Sequence, residues 1–288
     1  MRNGQYMTAL AAILACAWSL AGCGREFVVT VPDQVAQVGG KANVVIRLER
    51  YEFASLKMTV EGAPMRVQVG DRLECGAYTD ELGFTGWLSE SGFGEGTGVP
   101  VPDKAGKYVL NVSLQDDMGD EAHAEAPVYV WPREEKLTAV DLDALPDAGD
   151  AAAPLAKAAV DEIAKTSHVV YLTQTDVEDK PAARSKVAAC GYPDGPVFTW
   201  RRRYRHFVRT GKYRRPRIVD ESRLVMNLWY LRGLFPDLKA GVCIDVAAAR
   251  EFENSGIRPV LVGPAEATGI KATRRVDWLD LMQKGTGQ

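Results

Sequence analysis

The chain divides into two stretches that differ in the spacing of their hydrophobic residues. From residue 24 to 133, short apolar runs alternate with turns rich in Gly, Pro, Asp and Asn. The runs occupy residues 26–31, 42–48, 56–62, 65–70, 106–115 and 126–131. Many alternate between apolar and polar positions, which is typical of strands with one buried face, and no stretch here keeps a helical period. We therefore expect an all-β sandwich over residues 24–133.

From residue 134 onward the pattern predicts alternating strands and helices. Apolar runs of strand length occupy residues 136–142, 167–173, 195–200, 240–245 and 258–263. Between them, residues 153–166, 182–191, 221–236 and 246–256 have apolar positions at helical spacing. Strands and helices joined by short loops form a parallel sheet with helices on both faces. We therefore predict a second domain, a Rossmann-like α/β fold, over residues 134–288.

Residues 1–23 predict export and lipid attachment. A positive charge at Arg2 precedes an apolar stretch that ends in small residues, as in a secretory signal peptide. The end of this stretch, Leu-Ala-Gly-Cys at residues 20–23, resembles the lipobox of bacterial lipoproteins, which implies diacylglycerol on the thiol of Cys23. The alternative is an ordinary signal peptide with an incidental cysteine. We expect the mature protein to be held by its lipid anchor in the bacterial cell envelope, facing the periplasm or the cell surface.

The cysteine and histidine patterns argue against two kinds of site. Beyond Cys23, the mature chain would keep three cysteines: Cys75, Cys190 and Cys243. They lack the Cys-x-x-Cys spacing of a zinc site and do not outline a disulfide framework. The three histidines show none of the pairings of zinc hydrolases or His-based triads.

The charge is distributed unevenly between the two stretches. Residues 24–133 contain 10 Lys/Arg and 17 Asp/Glu, whereas residues 134–288 contain 24 and 21. This asymmetry indicates two units with different roles and argues against nucleic-acid binding by the chain as a whole.

A turn motif makes the predicted fold of the first domain more specific. The sequence from Thr79 to Gly83 resembles the Thr-Asp-x-x-Gly turn of bacterial immunoglobulin-like modules, in which the glycine takes a positive φ. The resemblance implies an immunoglobulin-like sandwich over residues 24–133 and gives the motif a structural role.

A second resemblance bears on function. An apolar strand ends in Asp141-Leu142-Asp143, a helix follows, and the next apolar strand ends at Thr173. This order resembles the opening of the haloacid dehalogenase superfamily. The Gly-Tyr-Pro-Asp-Gly-Pro turn at 191–196 and the segment 240–257 resemble its phosphatidate phosphatase branch, which includes the lipins and the yeast actin-patch phosphatase. The resemblance covers roughly residues 134–280 and implies a capless α/β domain.

The resemblance implies a chemical role for each polar position. Asp141 would attack phosphorus and form an aspartyl-phosphate, and Asp143 would act as general acid and then general base. Thr173 would hydrogen-bond the transferring phosphoryl group, and Arg223 would neutralise its charge. Mg²⁺ would be held by Asp141, the main-chain carbonyl of Asp143 and the carboxylate of Asp245.

Departures from the family pattern keep two functions open. Ala144 and Leu145 follow the second aspartate, and Ala248 and Ala249 stand where a second acidic residue of the last motif would fall. One hypothesis is a Mg²⁺-dependent phosphomonoester hydrolase, whose uncapped site would admit a large or lipid-like substrate. The alternative is a catalytically degenerate domain that serves as a binding or structural module in the envelope.

Residues 200–217 contain eight arginines with aromatic residues between them. The candidates for anion binding are Arg201, Arg202, Arg203, Lys212, Arg214 and Arg215. Guanidinium groups bind phosphate through paired hydrogen bonds, and a basic surface also attracts anionic lipid. The alternative is a solvated arm that pairs with the acidic first domain. We expect a phosphorylated or anionic substrate and, for an exported lipoprotein, no nucleic acid.

Overall fold

The computed structural model describes residues 27–52, 56–70, 75–79, 83–85, 98–115, 121–176, 180–210, 213–222, 224–264 and 269–287. Some of these, including 200–210 and 213–221, are described by their backbone alone. The predicted signal peptide and Cys23 lie outside the described residues. Within the described ranges, no helix combines the length and the apolar character that a membrane span requires.

The first half of the described chain consists of strands. In chain order they are β1 (Phe27–Thr30), β2 (Gln34–Gln37), β3 (Lys41–Ala42), β4 (Ile46–Glu52), β5 (Leu56–Thr59), β6 (Pro64–Val69), β7 (Cys75–Tyr78), β8 (Phe84–Thr85), β9 (Val99–Pro100), β10 (Gly106–Gln115) and β11 (Glu121–Trp131). One sheet has β4 between β1 and β5, with β8 also paired to β4, and a second has the order β2-β11-β10-β6-β7. Most pairs are antiparallel, whereas β2 runs parallel to β11.

The two sheets share one hydrophobic core. Their period of two is clearest in β6, where Met65, Val67 and Val69 are buried and the residues between them are exposed. These side chains pack in the same buried cluster as Ile46 and Leu48 of β4. The predicted alternation of apolar and polar positions is thus realised as two sheets with apolar faces toward a common core.

The second half alternates strands and helices. The elements are β12 (Leu137–Asp141), a 3₁₀ turn (Leu142–Ala144), α1 (Ala153–Ala164), β13 (His168–Asp176), α2 (Lys180–Ala189), β14 (Val197–Thr210), β15 (Tyr213–Ser222), α3 (Leu224–Leu234), β16 (Leu238–Cys243), α4 (Val246–Asn254), β17 (Arg258–Val262), β18 (Thr273–Arg275) and α5 (Trp278–Lys284). The strands form one sheet of order β15-β14-β13-β12-β16-β17-β18. Neighbours are parallel except β14 and β15, which form an antiparallel hairpin. The predicted parallel sheet flanked by helices is confirmed.

Adjacent residues of β12 show that helices cover both faces of this sheet. Val140 belongs to a buried cluster with Val160 of α1 and Leu281 of α5. Its neighbour Ala139 belongs to a different cluster, together with Leu228 of α3. Successive strand residues point to opposite faces, so each cluster marks one face with its helices.

The described residues of the basic run 200–217 lie in a strand pair, whereas we expected a strand only over residues 195–200 and a helix from residue 221. Residues 201–210 and 213–222 pair in register, from Arg201 opposite Ser222 to Thr210 opposite Tyr213. Strand β15 thus covers the stretch just before α3, which begins only at Leu224. The arginines of this run are interleaved with aromatic and β-branched residues. Aromatic and β-branched residues are enriched in strands, so the run suits a strand pair.

The two halves of the chain pack together. Val35, Tyr129 and Trp131 of the first half lie in the same buried cluster as Leu228 of the α/β half. The hydroxyl of Tyr230 donates a hydrogen bond to the carbonyl of Val35 at 3.2 Å. Residues from the two sides of the predicted boundary at 133/134 therefore pack against each other. The division into two domains stays a prediction.

Candidate functional site

Three aspartates lie at the carboxyl ends of two adjacent central strands. β12 ends at Asp141, the 3₁₀ turn after it carries Asp143, and Asp245 follows β16. From β12 the chain builds the sheet outward through β13 and β14, then returns to the other side of β12 with β16. The order therefore reverses between β12 and β16, and ligands of open parallel sheets bind at such a reversal. The fold places the three aspartates at the expected ligand position.

Asp141 is buried, with 7% of its surface exposed. Its Oδ1 accepts a hydrogen bond of 3.1 Å from the main-chain N–H of Asp143 and so caps the 3₁₀ turn. Burial raises the pKa of Asp141 to about 7, and the charges of Asp143 and Asp245 act in the same direction. Main-chain donors at Asp143 and Ala144 oppose the rise. A cation next to this carboxylate would stabilise its charged form.

The carboxylate of Asp143 is held by the end of β13. Thr173 donates its hydroxyl to Oδ1 at 2.6 Å, and the main-chain N–H of Gln174 donates to Oδ2 at 2.6 Å. Thr173 is fully buried, and its Oγ1 accepts from the N–H of Thr175 at 3.1 Å. The structure therefore brings Thr173 to Asp143, whereas the family resemblance implies that its hydroxyl binds the phosphoryl group. The sequence pattern did not indicate the contributions of Gln174 and Thr175, since a main-chain donor leaves no residue signature.

Asp245 begins helix α4. Its Oδ1 accepts a hydrogen bond of 2.7 Å from the main-chain N–H of Ala248, which is the usual bond of an aspartate at a helix start. Its charge is close enough to raise the pKa of both Asp141 and the buried thiol of Cys243. Burial is the main cause of the shift at Cys243, which keeps this thiol protonated and unreactive.

Oxygen atoms at these strand ends are the possible ligands of a Mg²⁺ ion. Asp141, Asp245 and the main-chain carbonyl of Asp143 provide the hard oxygen donors that Mg²⁺ prefers. Asp141 is buried, and its burial, followed by the charges of Asp143 and Asp245, raises the pKa of its carboxyl, so a nearby cation would stabilise the charged form. No three His, Cys, Asp or Glu side chains in the described ranges are grouped for metal binding, which agrees with an Asp143 carboxylate turned to Thr173. Asp141, Asp245 and the main-chain carbonyl of Asp143 are the groups that would hold Mg²⁺ here.

The turn at residues 191–196 supports the site strand β13. The main-chain N–H of Tyr171 donates to the carbonyl of Pro196 at 2.9 Å, and the Tyr171 hydroxyl donates to the carbonyl of Pro193 at 2.8 Å. A Cβ on Gly195 would lie 2.2 Å from the carbonyl oxygen of Val169, so no other residue fits. The turn is thus bound to the strand that carries Thr173.

The structure describes only some of the remaining candidate residues. Arg223 and Lys212 lie outside the described residues. Arg201, Arg202 and Arg203 lie in β14, and Arg214 and Arg215 in β15, at described backbone positions. The site described by side chains therefore consists of Asp141, Asp143, Thr173 and Asp245.

Comparison with known proteins yields little similarity. No protein-family model and no curated protein matches the chain. Among solved structures, CopC from Methylosinus trichosporium OB3b is 14% identical over 38% of this chain and 97% of its own, with a TM-score of 0.22. A 2,6-sialyltransferase from Photobacterium sp. JT-ISH-224 is 11% identical over 82% of this chain, which spans only 40% of that protein, with a TM-score of 0.21. A polysaccharide deacetylase from Bacillus cereus is 9% identical over 88% of this chain and 95% of its own, with a TM-score of 0.19. Similarities this weak support no inference about fold or function.

Proposed function

We propose that the chain is a haloacid dehalogenase-like, Mg²⁺-dependent phosphomonoester hydrolase that works through an aspartyl-phosphate on Asp141. The observation that carries the proposal is the arrangement around β12. A buried carboxylate stands at the switch point of a parallel sheet, and the carboxylate two residues later is held by the end of the neighbouring strand. The order of Asp141, Asp143, Thr173 and Asp245 on successive strand ends supports the resemblance seen in the sequence.

Asp141 suits the role of nucleophile. Its Oδ1 is fixed by the N–H of Asp143, so the carboxylate is oriented before a substrate arrives. Burial and the neighbouring carboxylates make its negative charge costly and raise its pKa to about 7. A carboxylate of higher basicity is the stronger nucleophile once it is ionised. When bound, Mg²⁺ would supply the positive charge that favours this ionised form.

Asp143 suits the role of general acid and base. It lies on the 3₁₀ turn directly after the nucleophile, and its two oxygens are held by Thr173 and by the N–H of Gln174. Both bonds fix the direction of the carboxyl group, as proton transfer to a leaving oxygen and from water requires.

The proposed substrate is large or lipid-like and carries a phosphate. Only the 3₁₀ turn, α1 and loops separate β12 from β13, so no cap domain is inserted there. An open site of this kind admits substrates that a closed pocket would exclude. The proposed lipid anchor on Cys23 would keep the enzyme at the envelope membrane. There the arginines of β14 and β15 would attract a phosphorylated or anionic substrate.

The first half of the chain is proposed to be an immunoglobulin-like sandwich. Its two sheets share one core, and Gly83 of the turn motif has a φ of +75°. A Cβ on Gly83 would lie 2.4 Å from the carbonyl oxygen of Leu48, so the motif requires glycine. Both observations support the structural role inferred from the Thr-Asp-x-x-Gly resemblance.

A second candidate function is a degenerate domain that binds an anionic partner without turning it over. The observation in its favour is that Thr173 and Asp245 are engaged within the protein, with Asp143 and with the start of α4. Ala248 and Ala249 add no acidic ligand near Asp245.

The test compares Mg²⁺-dependent hydrolysis of p-nitrophenyl phosphate and of a phosphatidate by wild type and Asp141→Asn. A matched control is Asp161→Asn, because Asp161 is a half-exposed carboxylate on α1 that pairs with Lys157. The proposed enzyme should lose at least about a thousandfold in turnover with Asp141→Asn and nothing with Asp161→Asn. Equal background rates in all three proteins would favour the degenerate binding module.

A further inference from the structure

A cleft with charged residues in its lining lies at the other end of the parallel sheet. It has a volume of about 440 Å³ and is lined by Lys136, Asp237, Lys239, Gly256 and Arg258. Lys136 immediately precedes β12, and Lys239 and Arg258 lie at the starts of β16 and β17. Because Asp141 is at the carboxyl end of β12, this amino-end cleft is separated from the candidate active site by the length of the strand.

The lining of the amino-end cleft is positively charged. It contains three basic side chains and one carboxylate. The ammonium of Lys239 lies 2.7 Å from Oδ1 of Asp237, and both Lys239 and Lys136 lower the pKa of that carboxyl. One carboxylate thus faces three cations, which leaves two positive charges without a counterion in the lining.

Two polar atoms, one in a lining residue and one in its chain neighbourhood, are buried without a hydrogen-bond partner among the described residues. They are Nε of Arg258 and Oγ of Ser255, the residue before Gly256. Ser255 is 2% exposed, and Arg258 spends another of its donors on the carbonyl of Gly287 at 2.7 Å. Native proteins usually pair such atoms with protein, water or ligand.

We propose that the amino-end cleft is a binding site for a small anion with two or more negative charges carried by phosphate or carboxylate groups. The volume lies in the range of small-molecule sites, and ammonium and guanidinium groups are the usual partners of both anionic groups. The proposal is independent of the chemistry at Asp141.

The basic residues of the cleft could instead serve to neutralise the carboxyl ends of nearby helices. Helices α3 and α4 end near this edge of the sheet, and Arg232 of α3 donates to the carbonyl of Ser255. Basic side chains at helix carboxyl ends neutralise the partial negative charge there. If the lysines served only this purpose, the cleft would show no saturable binding of an anion.

Isothermal titration calorimetry with inorganic phosphate and with citrate, in metal-free buffer of low ionic strength, tests the proposal. Wild type should bind at one saturable site, and Lys239→Gln or Lys136→Gln should weaken binding about tenfold, since each removes one charged donor. Both lysines are exposed, so neither change should disturb folding. Binding of phosphate alone would identify a phosphate ligand, and binding of both anions would extend the class to carboxylates.

Two controls separate this site from others. Lys165 is 64% exposed and pairs with Glu162, much as Lys239 is 67% exposed and pairs with Asp237. Lys165→Gln should leave the affinity unchanged, and so should Asp141→Asn. The proposal is overturned by an absence of saturable binding in wild type, by equal weakening with Lys165→Gln, or by loss of binding with Asp141→Asn.

Discussion

Replacement of Asp33 by asparagine should destabilise the protein more than any single exposed charge can. The Asp33 side chain is fully buried between the two halves of the chain. Its Oδ2 accepts from the main-chain N–H of Val197 at 2.8 Å and from the guanidinium of Arg184. The ammonium of Lys180 forms an ion pair with Oδ1 at 2.7 Å and donates to the carbonyl of Val31 at 2.6 Å.

The loss of stability depends on the two buried cations that the substitution leaves without their carboxylate. Asp33→Asn keeps the shape of the side chain but leaves Lys180 and Arg184 without their shared carboxylate. Removing one partner of a buried ion pair costs about 3 to 5 kcal/mol, which would lower the melting temperature by roughly 6 to 20 °C in a protein of this size. Arg184 is 24% exposed and retains Tyr129 as a hydrogen-bond partner, so the lower half of that range is expected.

Urea unfolding followed by circular dichroism measures this effect. Asp161→Asn removes a half-exposed partner of Lys157 and should cost less than about 1 kcal/mol. Burial lowers the pKa of Lys180, and Asp33 opposes that lowering. Without Asp33 the pKa should fall further, so the deficit should shrink as the pH rises toward 10.5, the ordinary lysine value. An Asp33→Asn protein within about 0.5 kcal/mol of wild type at neutral pH would refute the reasoning.

Three further predictions concern the site and its support. Since the folded pKa of Asp141 is raised from 3.8 to about 7, wild type loses stability as the pH rises through that interval. Asp141→Asn should therefore resist urea better than wild type at pH 8, by up to about 4 kcal/mol, with no gain at pH 3. Thr173→Val removes the donor to Asp143 and should cost about 2 kcal/mol in urea unfolding and lower turnover. Gly195→Ala should cost at least about 3 kcal/mol in thermal unfolding because of its contact with the main chain, whereas Gly191→Ala, at a φ of +65°, should cost about 1 to 2 kcal/mol.

The parallel sheet and the positions of the aspartates could be predicted because their signals are local. Strands β12, β13, β16 and β17 each contain a short, mostly apolar run, as expected for strands covered on both faces. Polar residues directly after such runs must lie at the carboxyl edge of a parallel sheet. The order of the strands then brings Asp141 and Asp245 to the same end of neighbouring strands.

What the sequence pattern missed depends on contacts between distant residues. The strand β15 carries so many charges that its pairing with β14 is visible only from the register. Asp33 is an isolated polar residue between β1 and β2, and its partners Lys180 and Arg184 lie about 150 positions later. No periodic pattern marks such a residue, since its burial is decided by how the two halves pack. The hydrogen bond from Thr173 to Asp143 likewise joins residues that are distant in sequence, so no local pattern predicts it.

A phosphoryl group covalently bound to Asp141 is the most direct test of the proposed function. Wild-type protein, Asp141→Asn and Asp143→Asn would be mixed with Mg²⁺ and a phosphatidate, quenched in acid and digested for mass spectrometry. The peptide that contains Asp141 should carry one phosphoryl group in wild type and none in Asp141→Asn. Asp143→Asn should slow both formation and hydrolysis of the intermediate, because the same residue is general acid and general base, and any phosphoryl group it retains should be on the Asp141 peptide. A wild-type peptide that stays unmodified, or a phosphoryl group that persists in Asp141→Asn, would contradict the assignment of Asp141 as nucleophile.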